Sequence, residues 1–246
     1  MAWDSTKNNE KNTNNMVELL AQPEVCTHCG KKFRLAKSLF SHMCEQKRRV
    51  MQKSEKRVQT GFYAFTRFYQ ITQNSKTTKT YEEFCKSSYY NAFVKFGSFV
   101  NNAAALYPDQ FVDYVIRNGI KLDHWCRDDL YNRYLYETIK TEPMESAVTR
   151  TLLTMMDWAD SSKLDYTEYF SQVNLNRAVN DLVIGAISPW VILNTSSGKR
   201  MIGNLNDDQL AMITPAFDVA YWAKRFKERP ADVALVKEIC KEANIK

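Results

Sequence analysis

Apolar and aromatic side chains recur three and four positions apart along most of the chain after residue 60. That spacing places them on one face of an α-helix, which turns once in about 3.6 residues. Proline fits the first position of a helix, and three prolines stand where new helices would begin. They are Pro108, Pro143 and Pro230. The pattern predicts a mainly α fold class, with residues 61–246 as an all-helical domain.

Glycine is scarce, with 7 residues in 246. Glycine-rich phosphate loops and turn-dense β architectures need more, so the composition counts against Rossmann, P-loop and β-sandwich folds.

One segment departs from the helical pattern. Trp190–Asn194 and Lys199–Ile202 flank the turn-forming residues Thr195–Gly198, and together they predict one short β-hairpin.

The N-terminal residues are polar and show no hydrophobic period, so we expect residues 1–22 to form a disordered tail. No targeting segment is recognisable there. The longest uncharged apolar run, Leu182–Leu193, has twelve residues and contains a proline, which is too short to cross a bilayer. We therefore expect a soluble intracellular protein with no membrane partner.

Six cysteines are distributed unevenly along the chain. Cys26, Cys29 and Cys44 fall within nineteen residues, whereas the other three are scattered. Thiols of intracellular proteins stay mostly reduced. The clustering therefore favours one metal site plus isolated thiols over a disulfide framework.

The spacing of Cys26 and Cys29, followed by Phe33, Leu39 and His42, resembles that of a two-cysteine, two-histidine zinc finger. The resemblance implies a ββα-like module over residues 23–45. In such a module a knuckle presents two thiolates to zinc, and a short helix presents an imidazole. Phe33 and Leu39 would form its small apolar core, and zinc binding would supply most of its folding free energy.

The fourth ligand departs from the family pattern, because the usual second histidine is missing. Cys44 lies only two residues past His42, and such residues point about 200° apart on a regular helix. The helix must therefore end or distort near Met43 if Cys44 is to reach the same ion. The predicted zinc ligands are Cys26, Cys29, His42 and Cys44. His28 is a weaker alternative ligand, and a reduced thiol cluster without a metal is the other interpretation.

The resemblance also identifies the helix positions that read bases in this family. Leu35, Ser38 and Ser41 occupy them here. Leucine cannot make a bidentate base contact, and serine discriminates poorly between bases. Nearby cations are better placed to contact phosphates. They are Lys31, Lys32, Arg34 and Lys37.

Positive charge is concentrated in this module and in the residues that follow it in the sequence. Residues 30–60 contain ten basic and two acidic residues, a net charge of +8, whereas residues 61–246 contain 22 of each. Such a local concentration of positive charge is typical of a polyanion-binding surface. Residues 46–60 are therefore predicted to be a basic helical linker that contacts nucleic acid. Its predicted contacts are Lys47, Arg48, Arg49, Lys53, Lys56 and Arg57. The alternatives are a solvated linker and a segment that meets an acidic protein surface.

No catalytic motif stands out. The sequence has no glycine-rich phosphate loop, no histidine-pair metalloprotease motif and no serine elbow. His124 and Cys126 are two residues apart, so their side chains would diverge on a helix. We predict no catalytic residue and keep an enzyme acting on nucleic acid as the third alternative.

Four stretches of the body resemble proteins encoded by tailed bacteriophages. They are residues 79–97, 121–125, 187–191 and 221–222. Those phage proteins carry a single N-terminal zinc-finger-like module and have no established activity. The resemblance implies a virus-encoded protein that acts in the cytoplasm of an infected bacterial host, and it transfers no catalytic residue or substrate.

These observations together predict a zinc-finger protein that binds nucleic acid, DNA rather than RNA, largely through phosphate contacts. It would act as an accessory or regulatory factor, and the helical body would hold a phage or host protein partner. The main alternative is a protein-interaction or virion-assembly component, in which the basic segment meets an acidic partner.

Overall fold

The computed structural model describes residues 23–74 and 77–246. The tail predicted at residues 1–22 lies outside the described residues. The described chain contains fifteen α-helices and one two-stranded sheet, which confirms the mainly α fold class. Contacts divide the chain into two units, the first ending at Asn101 and the second running from Asn102 to Lys246.

The first unit begins with a small antiparallel sheet. Strands β1 (Glu24–Val25) and β2 (Lys32–Phe33) pair so that Glu24 lies opposite Phe33. Gly30, at φ +72°, closes the turn between them in the left-handed region that favours glycine. Two short helices follow, α1 (Ala36–Ser41) and α2 (Glu45–Met51). This sheet-and-helix segment contains three of the six cysteines and seven of the ten basic residues of the range 30–60.

Three further helices complete the first unit, together with a 3₁₀ turn at Gln52–Ser54. They are α3 (Lys56–Gln73), α4 (Tyr81–Lys86) and α5 (Tyr90–Asn102). Helices α3 and α5 cross at two glycines, and a Cβ on Gly61 would lie 2.6 Å from the carbonyl oxygen of Phe93. A fully buried aromatic cluster packs around the crossing. Its largest members are Phe65, Phe84, Phe93 and Phe96.

The basic segment is not one continuous linker. It contains most of α2, the 3₁₀ turn and the first residues of α3. Helix α3 then runs through the boundary predicted between residues 60 and 61. Val58, on the first turn of α3, is fully buried, so this part of the segment packs into the first unit.

The second unit consists of ten α-helices and two 3₁₀ turns, at Leu122–His124 and Tyr166–Glu168. Pro108 and Pro230 occupy the first turns of their helices, as predicted from the preference of proline for that position. The helices are α6 (Pro108–Arg117), α7 (Asp128–Thr141), α8 (Met144–Ser162), α9 (Tyr169–Gln172), α10 (Leu175–Val183), α11 (Pro189–Ile192), α12 (Ser196–Gly203), α13 (Asp207–Ile213), α14 (Val219–Glu228) and α15 (Pro230–Glu242).

An apolar interior and one buried ion pair hold this unit together. Trp125, Trp190 and Trp222 are almost completely buried. Arg150 binds both carboxylate oxygens of Glu142, at 2.5 and 2.6 Å, and the Glu142 side chain is only 2% exposed. A charge in such a place is tolerated only with a close, hydrogen-bonded partner.

The β-hairpin predicted over residues 190–202 is wrong, because this segment forms helices α11 and α12. Ser188 caps the N-terminus of α11 and Pro189 occupies its first turn. The apolar run after Pro189 reflects complete burial rather than strand pairing. Thr195 caps α12, and Gly198, whose Cβ would lie 2.5 Å from the carbonyl oxygen of Ile192, permits a close approach rather than a turn.

None of the helices in the described part of the chain combines the length and apolarity that a bilayer-spanning segment needs.

Candidate metal centre and the basic segment

Four side chains converge beside the small sheet. Donor atoms of Cys26, Cys29, His42 and Cys44 all lie within 4.8 Å of one another. Cys26 Sγ lies 4.0 Å from Cys44 Sγ, and Cys29 Sγ lies 3.3 Å from His42 Nε2. Donors around a tetrahedral ion, with metal–sulfur bonds of about 2.3 Å and metal–nitrogen bonds of about 2.0 Å, are about 3.5–3.8 Å apart. The cluster therefore has the size of a metal site.

Cys26 and Cys29 are presented by the turn that joins the two strands. The backbone N–H of Cys26 donates to the carbonyl oxygen of Lys31 at 2.9 Å, and that of Gly30 donates to Cys26 at 2.8 Å. These bonds fold the turn into a tight knuckle that brings the two sulfurs to one side. The backbone N–H of Cys29 favours the Cys26 thiolate and lowers the pKa of Cys26. Such a thiolate is the form that binds metals.

His42 and Cys44 come from the break between two helices. Helix α1 ends at Ser41, and both residues have extended backbones, at φ −70°, ψ 120° and φ −88°, ψ 165°. This break removes the divergence that a regular helix would impose on residues two apart. Cys44 is also the N-cap of α2, where its sulfur accepts from the N–H of Lys47 at 3.4 Å. A helix N-terminus stabilises negative charge, so this position suits a thiolate.

Neighbouring groups fix the orientation of the histidine. The His42 ring packs on Phe33 with ring centres 4.7 Å apart, and Lys47 Nζ donates to the His42 carbonyl at 3.4 Å. Phe33 and Leu39 are half-buried, which is consistent with the small core expected of them. His28 is exposed and does not belong to the cluster found among the described residues.

The donor set resembles a closed structural site rather than a catalytic one. Four protein ligands fill a tetrahedral shell and leave no position for water or substrate. The N–H of Lys31 favours the Cys29 thiolate, but desolvation and the nearby sulfurs of Cys26 and Cys44 leave the pKa of Cys29 raised. Three sulfurs this close repel one another when ionised, and a divalent cation removes that repulsion.

The basic residues of the module face solvent. No carboxylate of the described residues forms an ion pair with any of them. Lys31 lies 5.6 Å from the centre of the Phe33 ring. These exposed cations are Lys31, Lys32, Arg34 and Lys37. All four side chains are therefore accessible for the phosphate contacts that the sequence predicts.

Behind the module, the predicted contact residues differ in availability. Lys53 and Lys56 are exposed, and Lys47 is half-buried. Arg48 pairs with Glu45, and Arg57 pairs with Glu55 at 2.7 Å. These are exposed pairs, which are weak and can be exchanged for a phosphate.

Arg49 has a different role from the one predicted for it. Its side chain is 11% exposed, and its guanidinium donates to the carbonyl oxygens of Cys85 at 2.8 Å and Ser87 at 3.2 Å. It also lies 4.4 Å from the centre of the Tyr90 ring. Because these contacts hold the guanidinium inside the unit, the Arg49 side chain is not available to a phosphate as the sequence predicts.

Phe40 lies on α1 between the predicted ligands and is 87% exposed, although no sequence motif singles it out. Its spacing in the sequence is that of an ordinary core residue, so no sequence signal distinguishes it. Gly30 is a second residue that no sequence motif singles out. The knuckle requires its left-handed backbone conformation.

The chain was compared with protein-family models, with curated proteins and with solved structures. No family model, curated protein or solved structure matches it. The metal-site geometry and the distribution of charge therefore carry the functional argument.

Proposed function

We propose that residues 23–57 form a zinc-stabilised module that binds nucleic acid, DNA in the first instance, through phosphate contacts. One observation carries the proposal. The segment that gathers three thiols and an imidazole within 4.8 Å also displays four exposed basic side chains without a described carboxylate partner.

Zinc is the ion that best suits the donors. Tetrahedral sets of cysteine and histidine are typical of structural zinc, while calcium and magnesium prefer oxygen ligands. Cys26, Cys29, His42 and Cys44 would hold the ion, and none of them shares a regular helix with another. Because the module has no fully buried apolar side chain of its own except Cys26 among the described residues, the ion would supply much of its folding free energy.

Metal content tests the first half of the proposal. We expect the full-length protein to bind zinc in an equimolar amount, measured by atomic absorption after dialysis. Cys44→Ser should abolish retention of the ion, whereas Cys126→Ser should leave it unchanged, because Cys126 lies in the second unit. Equal zinc contents in the two variants would contradict the ligand set.

Salt-dependent binding tests the second half. We expect fluorescence-anisotropy titrations to show an affinity for DNA that falls steeply between about 50 and 300 mM salt, since bound phosphates release counterions. Replacing the four exposed cations of the module with glutamine should reduce the log–log salt slope for duplex DNA by about 3.6, at about 0.9 per phosphate contact. Those cations are Lys31, Lys32, Arg34 and Lys37.

A matched control uses four exposed lysines of the second unit, again replaced by glutamine. They are Lys199, Lys224, Lys227 and Lys241. This variant changes the net charge equally but should keep the wild-type slope. Equal effects of the two variants would mean that binding follows overall charge, and no binding at 50 mM salt would refute nucleic-acid binding.

A protein partner is the second candidate. Leu35, Met43 and Met51 are 58%, 55% and 64% exposed, which is unusual for side chains of this size so near one another in sequence. Under this alternative, an equimolar protein would co-purify from cells after nuclease treatment. The glutamine variant of the module would then lose that protein instead of DNA.

A further inference from the structure

Phe40 is the most exposed large apolar side chain among the described residues, at 87%. It lies on α1, three residues after Lys37, so both side chains project from the same face of the helix. An exposed phenylalanine ring contributes no free energy of apolar burial to folding unless another molecule covers it. The residue therefore marks a contact surface.

A cavity lies beside the ring. It has a volume of about 340 Å³, and its wall includes the apolar side chains of Val25, Ala36 and Leu39 as well as Phe40. The rest of the wall is formed by Thr27, His28 and Lys47 and by two of the metal donors, Cys26 and His42. Lys47 is the one cation that lines it. An apolar wall joined to a positive group suits a flat aromatic ring that carries a phosphate.

We infer that this surface binds an unpaired base of a single-stranded nucleic acid, which stacks on the Phe40 ring while its phosphates contact Lys37 and Lys47. The inference rests on the proposed function and names its substrate class. Aromatic side chains beside a basic groove bind single strands in this way, with little dependence on sequence because every base has a flat face.

The dimensions of α1 argue for a single strand over a duplex. The helix has six residues and ends at Ser41, so it is only about 9 Å long. Leu35, Ser38 and Ser41 occupy its base-reading positions and cannot make bidentate contacts in a major groove. In a duplex both faces of each base are covered by its neighbours, whereas an unpaired base offers a face to Phe40.

Charge argues for nucleic acid over an apolar peptide. Residues 23–44 contain four basic residues and one acidic residue, a net charge of +3. An apolar peptide seated on Phe40 would leave those cations without counter-charges. A polynucleotide supplies a flat apolar ring and regularly spaced negative charge together.

Substitutions at Phe40 test the inference in the full-length, zinc-loaded protein. The probes are a labelled 20-residue oligothymidylate and a 20-base-pair duplex at low salt. Phe40→Ala should weaken binding of the single strand about 5- to 100-fold, the range expected for loss of one stacked base, and change duplex binding less than about twofold. Phe40→Trp should retain the wild-type affinity. Leu153→Ala, which removes a 57% exposed side chain from the second unit, should change neither affinity.

Two further comparisons separate stacking from other contacts. Phe40→Leu keeps an apolar side chain but has no ring, so it should bind the single strand as weakly as Phe40→Ala. An oligomer of the same length whose sugars carry no bases should bind the wild-type protein weakly, and Phe40→Ala should weaken it no further. Wild-type affinity in Phe40→Leu would overturn the inference, because single-strand binding would then not depend on the aromatic ring.

Failure of the inference is distinguishable from failure of the proposed function. If both probes bind and Phe40→Ala leaves the single-strand affinity unchanged, base stacking is refuted while phosphate binding stands. If neither probe binds the zinc-loaded protein, both proposals are refuted. Circular dichroism and zinc content of each variant confirm its folding, which an exposed residue should not affect.

Discussion

Arg49 Nη1 lies 2.8 Å from the carbonyl oxygen of Cys85, which is 36 residues later in the chain. The bond joins α2 to the C-terminal end of α4. The hydroxyl of Tyr81 adds a second connection, because it donates to the carbonyl oxygen of Arg49 at 2.6 Å. A residue that looks like one more cation in a basic run therefore holds together parts of the first unit that are distant in sequence.

Replacing Arg49 should lower stability more than it lowers affinity for DNA. Arg49→Gln removes charge-assisted hydrogen bonds from a mostly buried group, so we expect a loss of about 1.5–3 kcal/mol in the free energy of unfolding. Arg48→Gln is the control, because Arg48 is 59% exposed and should change stability by less than about 0.5 kcal/mol. Urea denaturation followed by circular dichroism measures both. Equal losses in the two variants would show that the contacts of Arg49 contribute nothing.

The crossing of α3 and α5 should not accept a larger residue than glycine. A Cβ on Gly97 would overlap the carbonyl oxygen of Arg57 and lie 2.8 Å from the backbone nitrogen of Gly61. We expect Gly97→Ala to lower the free energy of unfolding by at least about 2 kcal/mol, because the helices must separate.

Gly203→Ala provides the matched test for the crossing. Gly203 also lies in a helix, but a Cβ there would meet nothing within 4 Å. The substitution should be neutral or stabilise by up to about 1 kcal/mol, since alanine favours the helix. Urea denaturation should therefore show a loss of stability for Gly97→Ala and none for Gly203→Ala, and similar losses in both would refute the packing argument.

The N-terminus of α4 should contribute an acid-sensitive part of stability. The Lys79 side chain, at 2.8 Å, and the N–H of Thr80, at 2.7 Å, bind the Glu83 carboxylate and lower the pKa of Glu83 to about 2. The unfolded chain, with an ordinary pKa near 4.5, binds the proton first as the pH falls. This stabilisation is therefore fully present above about pH 4.5 and is lost as the pH falls toward 2.

Glu83→Gln should remove that pH dependence. The difference in unfolding temperature between wild type and variant should be largest above pH 5 and shrink steadily toward pH 2. Glu238→Gln, at an exposed position of α15, should show no such trend. A difference that stays constant from pH 5 to pH 2 would contradict the proposed role of the Glu83 carboxylate.

In the second unit, breaking the buried ion pair should be costly. Arg150→Met leaves the Glu142 carboxylate buried with Tyr107 as its one remaining side-chain hydrogen-bond partner among the described residues, so we expect a loss of about 3–5 kcal/mol. Adding Glu142→Leu should recover part of the loss, because no buried charge then remains. Arg127→Met breaks an exposed pair with Asp129 and should cost less than about 1 kcal/mol. Tryptophan fluorescence during urea denaturation measures all three, and a double variant no more stable than Arg150→Met would refute the pairing argument.

Local patterns predicted much of this architecture. Helical spacing and the prolines at 108 and 230 predicted helices that the structure contains. Asn206 was predictable as an N-cap from the acidic residues after it, and the structure adds a reciprocal bond in which the Gln209 side chain accepts from the backbone N–H of Asn206. The close approach of the four metal-donor side chains was also predictable, because short offsets along the chain largely determine it.

Features that depend on long-range packing were not predictable. The apolar run after Pro189 looks like a strand because burial on all sides hides the helical period. The role of Arg49 depends on carbonyl groups 36 and 38 residues away. Phe40 has the spacing of an ordinary core residue, and only the fold shows that its face of α1 is uncovered. Bacteriophage origin, cytoplasmic location and the choice of DNA over RNA stay predictions.

Cys44 Sγ belongs to the metal-donor cluster and also caps the first turn of α2. Binding of an ion by this cluster would therefore be thermodynamically linked to the start of that helix, and Arg49, one turn further along, would extend the linkage to α4. Removing the ion would release a helix end and weaken a tertiary contact in the same event. The metal module would thus unfold cooperatively with α2 and α4, rather than as an independent unit joined by a flexible linker.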